Sequence, residues 1–244
     1  MVQNIYDDKE FFDKYIQLRN NPLSYNEILE MPVMKQLLPS VNNMDVLDIG
    51  CGMGKFINYI LTFNPNSITG MDISANMIDY ARNEVTNEEV KLIVSDLMNF
   101  ETNEKYDVIV SSLALHYIEN YRSAVEKIYG LLNPSGTFIF SSEHPIQTAT
   151  KQTEYWSHEP EEYNHYKMDH YFEESLRTTQ WINKGVERYH RTVSTLINTL
   201  IEEGFTIERV EETGNNEYSL AKWDDAQIKK VNHYPPFIVI KAQK

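Results

Sequence analysis

Residues 45–54 read DVLDIGCGMG, and the way this stretch ends decides the fold. Val46, Leu47 and Ile49 make the short apolar run that a strand covered on both faces needs. Gly50, Gly52 and Gly54 follow and leave no room for another strand residue. Glycine adopts the left-handed backbone without steric cost and lets a ligand come close to the main chain. Residues 55–63 resume as a helix, whose first N–H groups face whatever lies over the turn. The stretch reads as a ligand-binding turn from a strand into a helix.

Outward from that turn the chain alternates regularly. Apolar runs at 68–73, 90–94, 107–111 and 137–140 read as strands, and helical patterns begin at 55, near Ala75 and at 121–132. Such alternation builds a mainly parallel sheet with right-handed crossovers. Its ligand is expected beyond the carboxyl ends of the strands, where the strand order reverses. Further on, 191–203 is an amphipathic helix stopped by Gly204, followed by strands at 205–210 and 237–240. Before the sheet, residues 1–40 look helical, and Ser24 with Glu27 has the form of a capping box opening a second helix.

The 244 residues, 41% of them apolar, suit one domain with an elaboration. We divide it into an N-terminal helical segment (1–40), a core (41–143 and 191–244) and an insertion (144–190). Tyr155, Trp156, Tyr163, Tyr166, Tyr171 and Trp181 crowd that insertion, and so many aromatics suit a cap over a site better than a disordered linker. A formal net charge of −14 disfavours nucleic acid and anionic membranes as partners and favours a small molecule. Cys51 is the only cysteine, which excludes an intramolecular disulfide framework and fits a reducing compartment. With no basic, apolar leader and no run of about 18 apolar residues, we expect a cytoplasmic protein. His165, Asp169 and His170 lie close in sequence, but their spacing is not that of a metal site, and none is expected.

The glycines are spaced Gly-x-Gly-x-Gly after Asp48, and Lys55 stands where a dinucleotide fingerprint puts its last glycine. In this the stretch resembles the first motif of class I S-adenosylmethionine-dependent methyltransferases, of the type 11-like, small-molecule branch. That resemblance implies an α/β, Rossmann-like fold: seven mostly parallel strands, helices on both faces, an antiparallel last strand and an inserted cap after the fifth strand. It implies S-adenosyl-L-methionine as cofactor and S-adenosyl-L-homocysteine as product. Asp48, Gly50, Cys51, Gly52 and Gly54 would hold the methionine end, with turn N–H groups meeting its carboxylate. Asp72, about 20 residues past the glycines, is placed to accept from the ribose hydroxyls. By the same resemblance Asp96 and Leu97 would meet adenine, Ile73 and Met77 would pack on its faces, and Ser112 would lie under the methionine portion.

For the chemistry, His116 in YDVIVSSLALHY (106–117) and His144 in SSEHP (141–145) are candidates for moving a proton. Tyr15, Arg19, His144, Trp181 and His190 are candidates for meeting a small-molecule acceptor. The expected reaction is displacement at the sulfonium methyl by an O, N or C atom. Two other readings share these residues: a nicotinamide-dependent oxidoreductase, which should carry the Gly-x-Gly-x-x-Gly spacing, and a protein that binds S-adenosylmethionine without turnover.

Overall fold

The computed structural model describes residues 3–151, 156–158 and 164–244. Tyr155 and Tyr163 of the aromatic insertion lie outside the described residues. The chain enters through α1 (Lys9–Arg19), a π-helical turn (Asn26–Glu30) and α2 (Met31–Leu37). Then β1 (Asp45–Ile49), α3 (Lys55–Leu61), β2 (Ser67–Asp72), α4 (Ala75–Glu84), β3 (Lys91–Val94), β4 (Tyr106–Ser111), α5 (Tyr121–Leu131) and β5 (Leu132–Glu143) alternate. The insertion holds α6 (Pro145–Ala149) and two hairpins, β6 (Trp156–His158) with β7 (Asn164–Tyr166) and β8 (Leu176–Trp181) with β9 (Lys184–Tyr189). Last come α7 (Val193–Glu203), β10 (Thr206–Glu212), α8 (Glu217–Lys222), α9 (Asp225–Val231) and β11 (Phe237–Gln243).

Seven strands form one sheet in the order β10-β11-β5-β4-β1-β2-β3. Strands β1 to β5 are parallel, while β11 runs antiparallel to both β5 and β10. This is the expected Rossmann-like sheet. The order reverses between β1 and β4, so the carboxyl ends of those two strands open the crevice where α/β sheets bind ligands.

Alternate residues explain why the strands read as continuous apolar runs. Leu47, Ile109, Phe138, Phe140 and Ile240 pack with α5 and α7 on one face. Val46, Val108, Val110, Ile139 and Val239 pack with α2, α3 and α4 on the other. Both faces are buried, so no polar alternation is left to see.

Where the elements differ from expectation, local chemistry accounts for it. Strand β5 begins at Leu132 rather than 137 because residues 133–136 bulge out between two paired stretches, with Ser135 at φ 63°. It continues to Glu143 because β11 pairs with it that far. Helix α3 stops at Leu61, where the Thr62 hydroxyl donates to the Tyr59 carbonyl at 2.7 Å and Asn64 turns left-handed. Glu27 N–H meets Ser24 Oγ at 3.4 Å, but the Glu27 carboxylate does not close a capping box and pairs instead with Lys55, at 3.2 Å. The element it sits in, Asn26–Glu30, is a π-turn.

The N-terminal segment divides: α2 packs on the sheet, while the residues through α1 lie against the insertion. Phe11 and Tyr15 each meet the Trp181 ring at 5.8 Å between centroids. Gln3 bonds Gly185 O and Glu187 N, both at 2.9 Å, and Asp8 pairs with Lys184 at 2.9 Å. Among the described residues no helix is long and apolar enough to cross a membrane.

Candidate functional site

The glycine turn hooks over the end of β2. Gly50 N–H and Cys51 N–H both donate to Met71 O, at 2.8 and 2.9 Å, which extends the β1–β2 ladder past the last strand residue. Gly52 N–H donates to Asp72 Oδ2 at 2.9 Å, and Gly54 N–H to Cys51 O at 2.9 Å. The Gly50, Cys51 and Gly52 amides expected to face a carboxylate are therefore spent on the end of β2. Gly50, Gly52 and Gly54 all have positive φ, at 72°, 52° and 76°. Their surroundings differ. A Cβ on Gly50 would come within 2.4 Å of Ala114 Cβ, and one on Gly54 within 2.6 Å of Val85 Cγ2, whereas one on Gly52 would meet nothing within 4 Å.

Gly50→Ala should therefore act on the fold itself. Left-handed strain together with the clash against Ala114 should lower the unfolding free energy by about 2–4 kcal/mol, read by chemical denaturation. A change under about 0.5 kcal/mol would show that the Ala114 turn yields freely.

A cavity of about 650 Å³ opens over this turn. Gly50, Gly52, Asp72, Ile73, Met77, Asp96, Leu97 and Ser112 all line it, and so do Tyr15, Arg19, Trp181 and His116. A smaller chamber of about 50 Å³ lies behind the turn and is lined by Asp48, Cys51, Met53 and Lys55. The two share Tyr15, Arg19, Gly50, Gly52 and Ser112. Gly54 lines neither and instead packs against the end of α4.

The acidic groups at the site are unusually buried. Asp72 accepts from Gly52 N–H and, through Oδ1, from Ser74 N–H at 2.9 Å; burial outweighs these bonds and pushes it up to about 6. Ser74 caps α4, accepting from Met77 N–H at 3.1 Å, so Asp72 is left for other work. Asp48 is 1% exposed, its Oδ1 has no partner, and burial with Asp72 and Glu30 nearby raises it to about 8. Glu30, fully buried in the π-turn, accepts from Ser141 Oγ at 2.6 Å and Ser112 Oγ at 2.8 Å, while its Oε2 has no partner. Arg19 Nη1 is a third buried polar atom without one. Asp96 caps a short 3-10 turn, accepting from Asn99 N–H at 3.1 Å.

The histidines separate. His116 faces the cavity, and burial lowers it to about 4, so its ring is neutral near pH 7. His144 does not line the cavity: Nδ1 caps α6 by accepting from Ile146 N–H at 3.1 Å, and Nε2 meets Glu212 at 2.7 Å. His190 does not line it either, since its nitrogens are taken by Thr148 Oγ1 and Tyr171 O, each at 2.8 Å. Beside Glu143 and Tyr6, which the sequence offers as polar and aromatic neighbours of the site, the structure brings in Arg188 and Tyr117, which it does not. Glu143, at the end of β5, pairs with Arg188 of β9, and both face the cavity. Tyr117 OH meets Tyr6 OH at 3.1 Å above Asp72.

Comparison with known proteins agrees with this geometry. The methyltransferase domain family matches residues 40–218. An uncharacterized protein of Haemophilus influenzae is 36% identical over 250 aligned positions, covering 99% of this chain and 97% of that one. The malonyl-[acyl-carrier protein] O-methyltransferase of Priestia megaterium is 30% identical over 113 positions, 45% of this chain and 41% of that one. The crystal structure of an S-adenosylmethionine-dependent methyltransferase from Mesorhizobium loti superposes with a TM-score of 0.81 at 31% identity, covering 88% of this chain and 97% of that one. With the 3-2-1-4-5 parallel strands and the glycine turn at their reversal point, the chain belongs to the methyltransferase domain family and is a class I S-adenosylmethionine-dependent methyltransferase.

Proposed function

We propose that the chain methylates an O, N or C atom of a small-molecule acceptor held in the 650 Å³ cavity, between the cofactor and the β8–β9 hairpin. The observation that carries this reading is the continuity of that cavity, which runs from the glycine turn to Glu143, Arg188 and Trp181 under the hairpin. Pockets for small ligands commonly measure about 300–1,000 Å³. The same hollow can therefore take a nucleoside and a modest second molecule.

The residues present fit S-adenosylmethionine. Arg19 Nη1 and Asp48 Oδ1, both buried and unpartnered, belong to residues lining the small chamber and suit the two ends of a zwitterionic amino-acid tail, with the buried Glu30 adding its carboxyl nearby. With the turn amides occupied, we assign the tail's carboxylate to Arg19 and its ammonium to the side of Asp48 and Glu30. Asp72 would accept from the ribose hydroxyls, Asp96 and Leu97 would meet adenine, and Ile73 and Met77 would pack against the ring. The open space at Gly52 is where the cofactor would pass closest to the main chain. When bound, S-adenosylmethionine supplies a methyl group on positively charged sulfur, which the acceptor atom displaces.

The chain's own contribution is placement and exclusion of water. Tyr6, Tyr15, Tyr117 and Trp181 wall the cavity with aromatic faces able to hold a flat or cationic acceptor. The Glu143–Arg188 pair gives that wall a fixed polar point. His116, neutral at pH 7, can hydrogen-bond the acceptor without adding charge.

A methyl-transfer screen with labelled S-adenosylmethionine and a metabolite extract tests this reading. Label should appear in a molecule of low mass with the wild type and not with Asp72→Ala. Label found only in protein or RNA would overturn the small-molecule assignment. With the acceptor in hand, Trp181→Ala should raise its KM about tenfold, the worth of one lost aromatic contact, while the Kd of S-adenosylhomocysteine moves less than about threefold.

A further inference from the structure

Lys55 attracts notice in the sequence only because it breaks the dinucleotide fingerprint. It is the first residue of α3, next to the glycine turn, and it lines the small chamber. Its ammonium donates to Arg19 O, the last residue of α1, and pairs with Glu27 Oε1 at 3.2 Å. One side chain thus ties the glycine turn to two N-terminal elements. The last carbonyls of a helix lack partners within it and carry the negative end of its dipole, so a cation there is favoured. Lys55 supplies that cation from across the chain, 36 residues away.

We propose that Lys55 is a positioning residue: by holding the end of α1 at the glycine turn, it sets the Arg19 guanidinium where the cofactor's carboxylate arrives. This rests on the assignment of Arg19 made above. Two of the three ammonium donors of Lys55 are held by Glu27 and the Arg19 carbonyl, which fixes the side chain between the turn and α1. Its effect reaches the ligand through the backbone that roots Arg19. Of the three nitrogens of that guanidinium, Nη1 is buried and has no partner. Without this tie the C-terminal end of α1 can move and carry Nη1 from the chamber, while the segment before α1 stays bound at the Asp72 end of the cavity, where Asp7 accepts from Ser74 Oγ at 2.6 Å and Asn76 N–H at 3.1 Å.

Two ligands separate this role from a general structural one. S-adenosylhomocysteine carries the amino-acid tail, whereas 5′-methylthioadenosine keeps the nucleoside and thioether without it. Lys55→Met keeps the length of the side chain and removes its charge. By calorimetry it should weaken S-adenosylhomocysteine about tenfold, the worth of one charge-assisted hydrogen bond, and change 5′-methylthioadenosine less than about twofold. Retained binding of 5′-methylthioadenosine also shows that the variant folds. Lys55→Arg should restore most of the lost affinity. Equal weakening of both ligands, or of neither, overturns the proposal. Arg19→Met tells the two assignments apart. If it leaves the preference for S-adenosylhomocysteine intact, the Arg19 assignment fails and the role of Lys55 with it. If it abolishes that preference while Lys55→Met does not, the role of Lys55 alone is overturned.

Discussion

Gly52→Asn should leave the fold standing and remove cofactor binding, with the Kd for S-adenosylhomocysteine rising at least about 100-fold. Gly52 has φ 52°, a conformation asparagine tolerates better than other side chains, so little backbone strain is added. A Cβ at this position meets no protein atom within 4 Å, and the space it would enter belongs to the two cavities Gly52 lines. The substitution therefore fills the hollow without pressing on the core. Gly52 N–H keeps its bond to Asp72, so the turn remains anchored to β2. Calorimetry with S-adenosylhomocysteine and a denaturation curve measured on the same sample check both halves. Loss of binding with a denaturation midpoint close to wild type is the expected result. Undiminished binding would mean that the cofactor does not cross Gly52, and the placement of the methionine end would have to be redrawn. Gly50→Ala makes the contrast: the same chemistry two residues earlier strikes Ala114 and is felt as instability.

The fold was legible because its signals are local. An apolar run that ends in glycines marks the carboxyl end of a strand, and strand ends are where a parallel sheet gathers its ligand-facing residues. Gly52, Asp72, Asp96 and Ser112 each follow or end such a run, and all four line one cavity. Long-range features were not legible. Glu30 reaches Ser141 across 111 residues, and it does so only because the N-terminal segment folds over the sheet. Within its own stretch, ILEM (28–31), it is one charged residue on an apolar helix. Arg188 reaches the cavity through the β8–β9 hairpin, whose register fixes which side chains turn inward.

His144 and His190 show the reverse difficulty. Both sit beside strand ends in the sequence, yet their ring nitrogens are taken up by Ile146, Glu212, Thr148 and Tyr171. Sequence position brings a histidine near a site, but only the hydrogen-bond partners decide whether its nitrogens face the ligand or the scaffold. The turn amides make the same point. Their spacing said they could meet a carboxylate, and the ladder to Met71 O claims two of them first. On the proposed assignment, that competition leaves the carboxylate to Arg19 and makes the acidic groups around it matter more.

Those groups should couple cofactor binding to protons. Before binding, Asp48 titrates at about 8 and Asp72 at about 6, raised first by burial and, for Asp48, by Asp72 and Glu30. An ammonium beside Asp48 and hydroxyl donors at Asp72 both favour the ionised carboxylate, so binding must release protons that the free protein holds. Affinity should then fall with falling pH. From pH 7 to pH 6 the Kd of S-adenosylhomocysteine should rise about tenfold, the loss expected for one coupled proton. Stability of the free protein runs the other way. A carboxyl whose folded pKa is raised stabilises the fold fully below its unfolded value, and the contribution is lost as pH climbs through the folded one, here from about 4 to about 8. Asp48→Asn, which mimics the protonated carboxyl in shape, removes both effects at once. It should stabilise the free protein above pH 8, by an upper bound of order 5 kcal/mol, and flatten the pH dependence of binding between pH 6 and 7. It should also weaken binding at pH 8, because the ammonium loses its buried counter-charge. Denaturation at pH 6 and pH 9, with calorimetry in buffers of different ionisation enthalpy, measures each term separately. A wild-type Kd that stays level from pH 7 to pH 6, with no proton released on binding, would overturn this coupling, as it would if Asp48 were already ionised before the ligand arrives. The site would then have kept a buried, uncompensated charge at its centre, a cost that only a stability deficit reversed by Asp48→Asn at pH 6 could reveal.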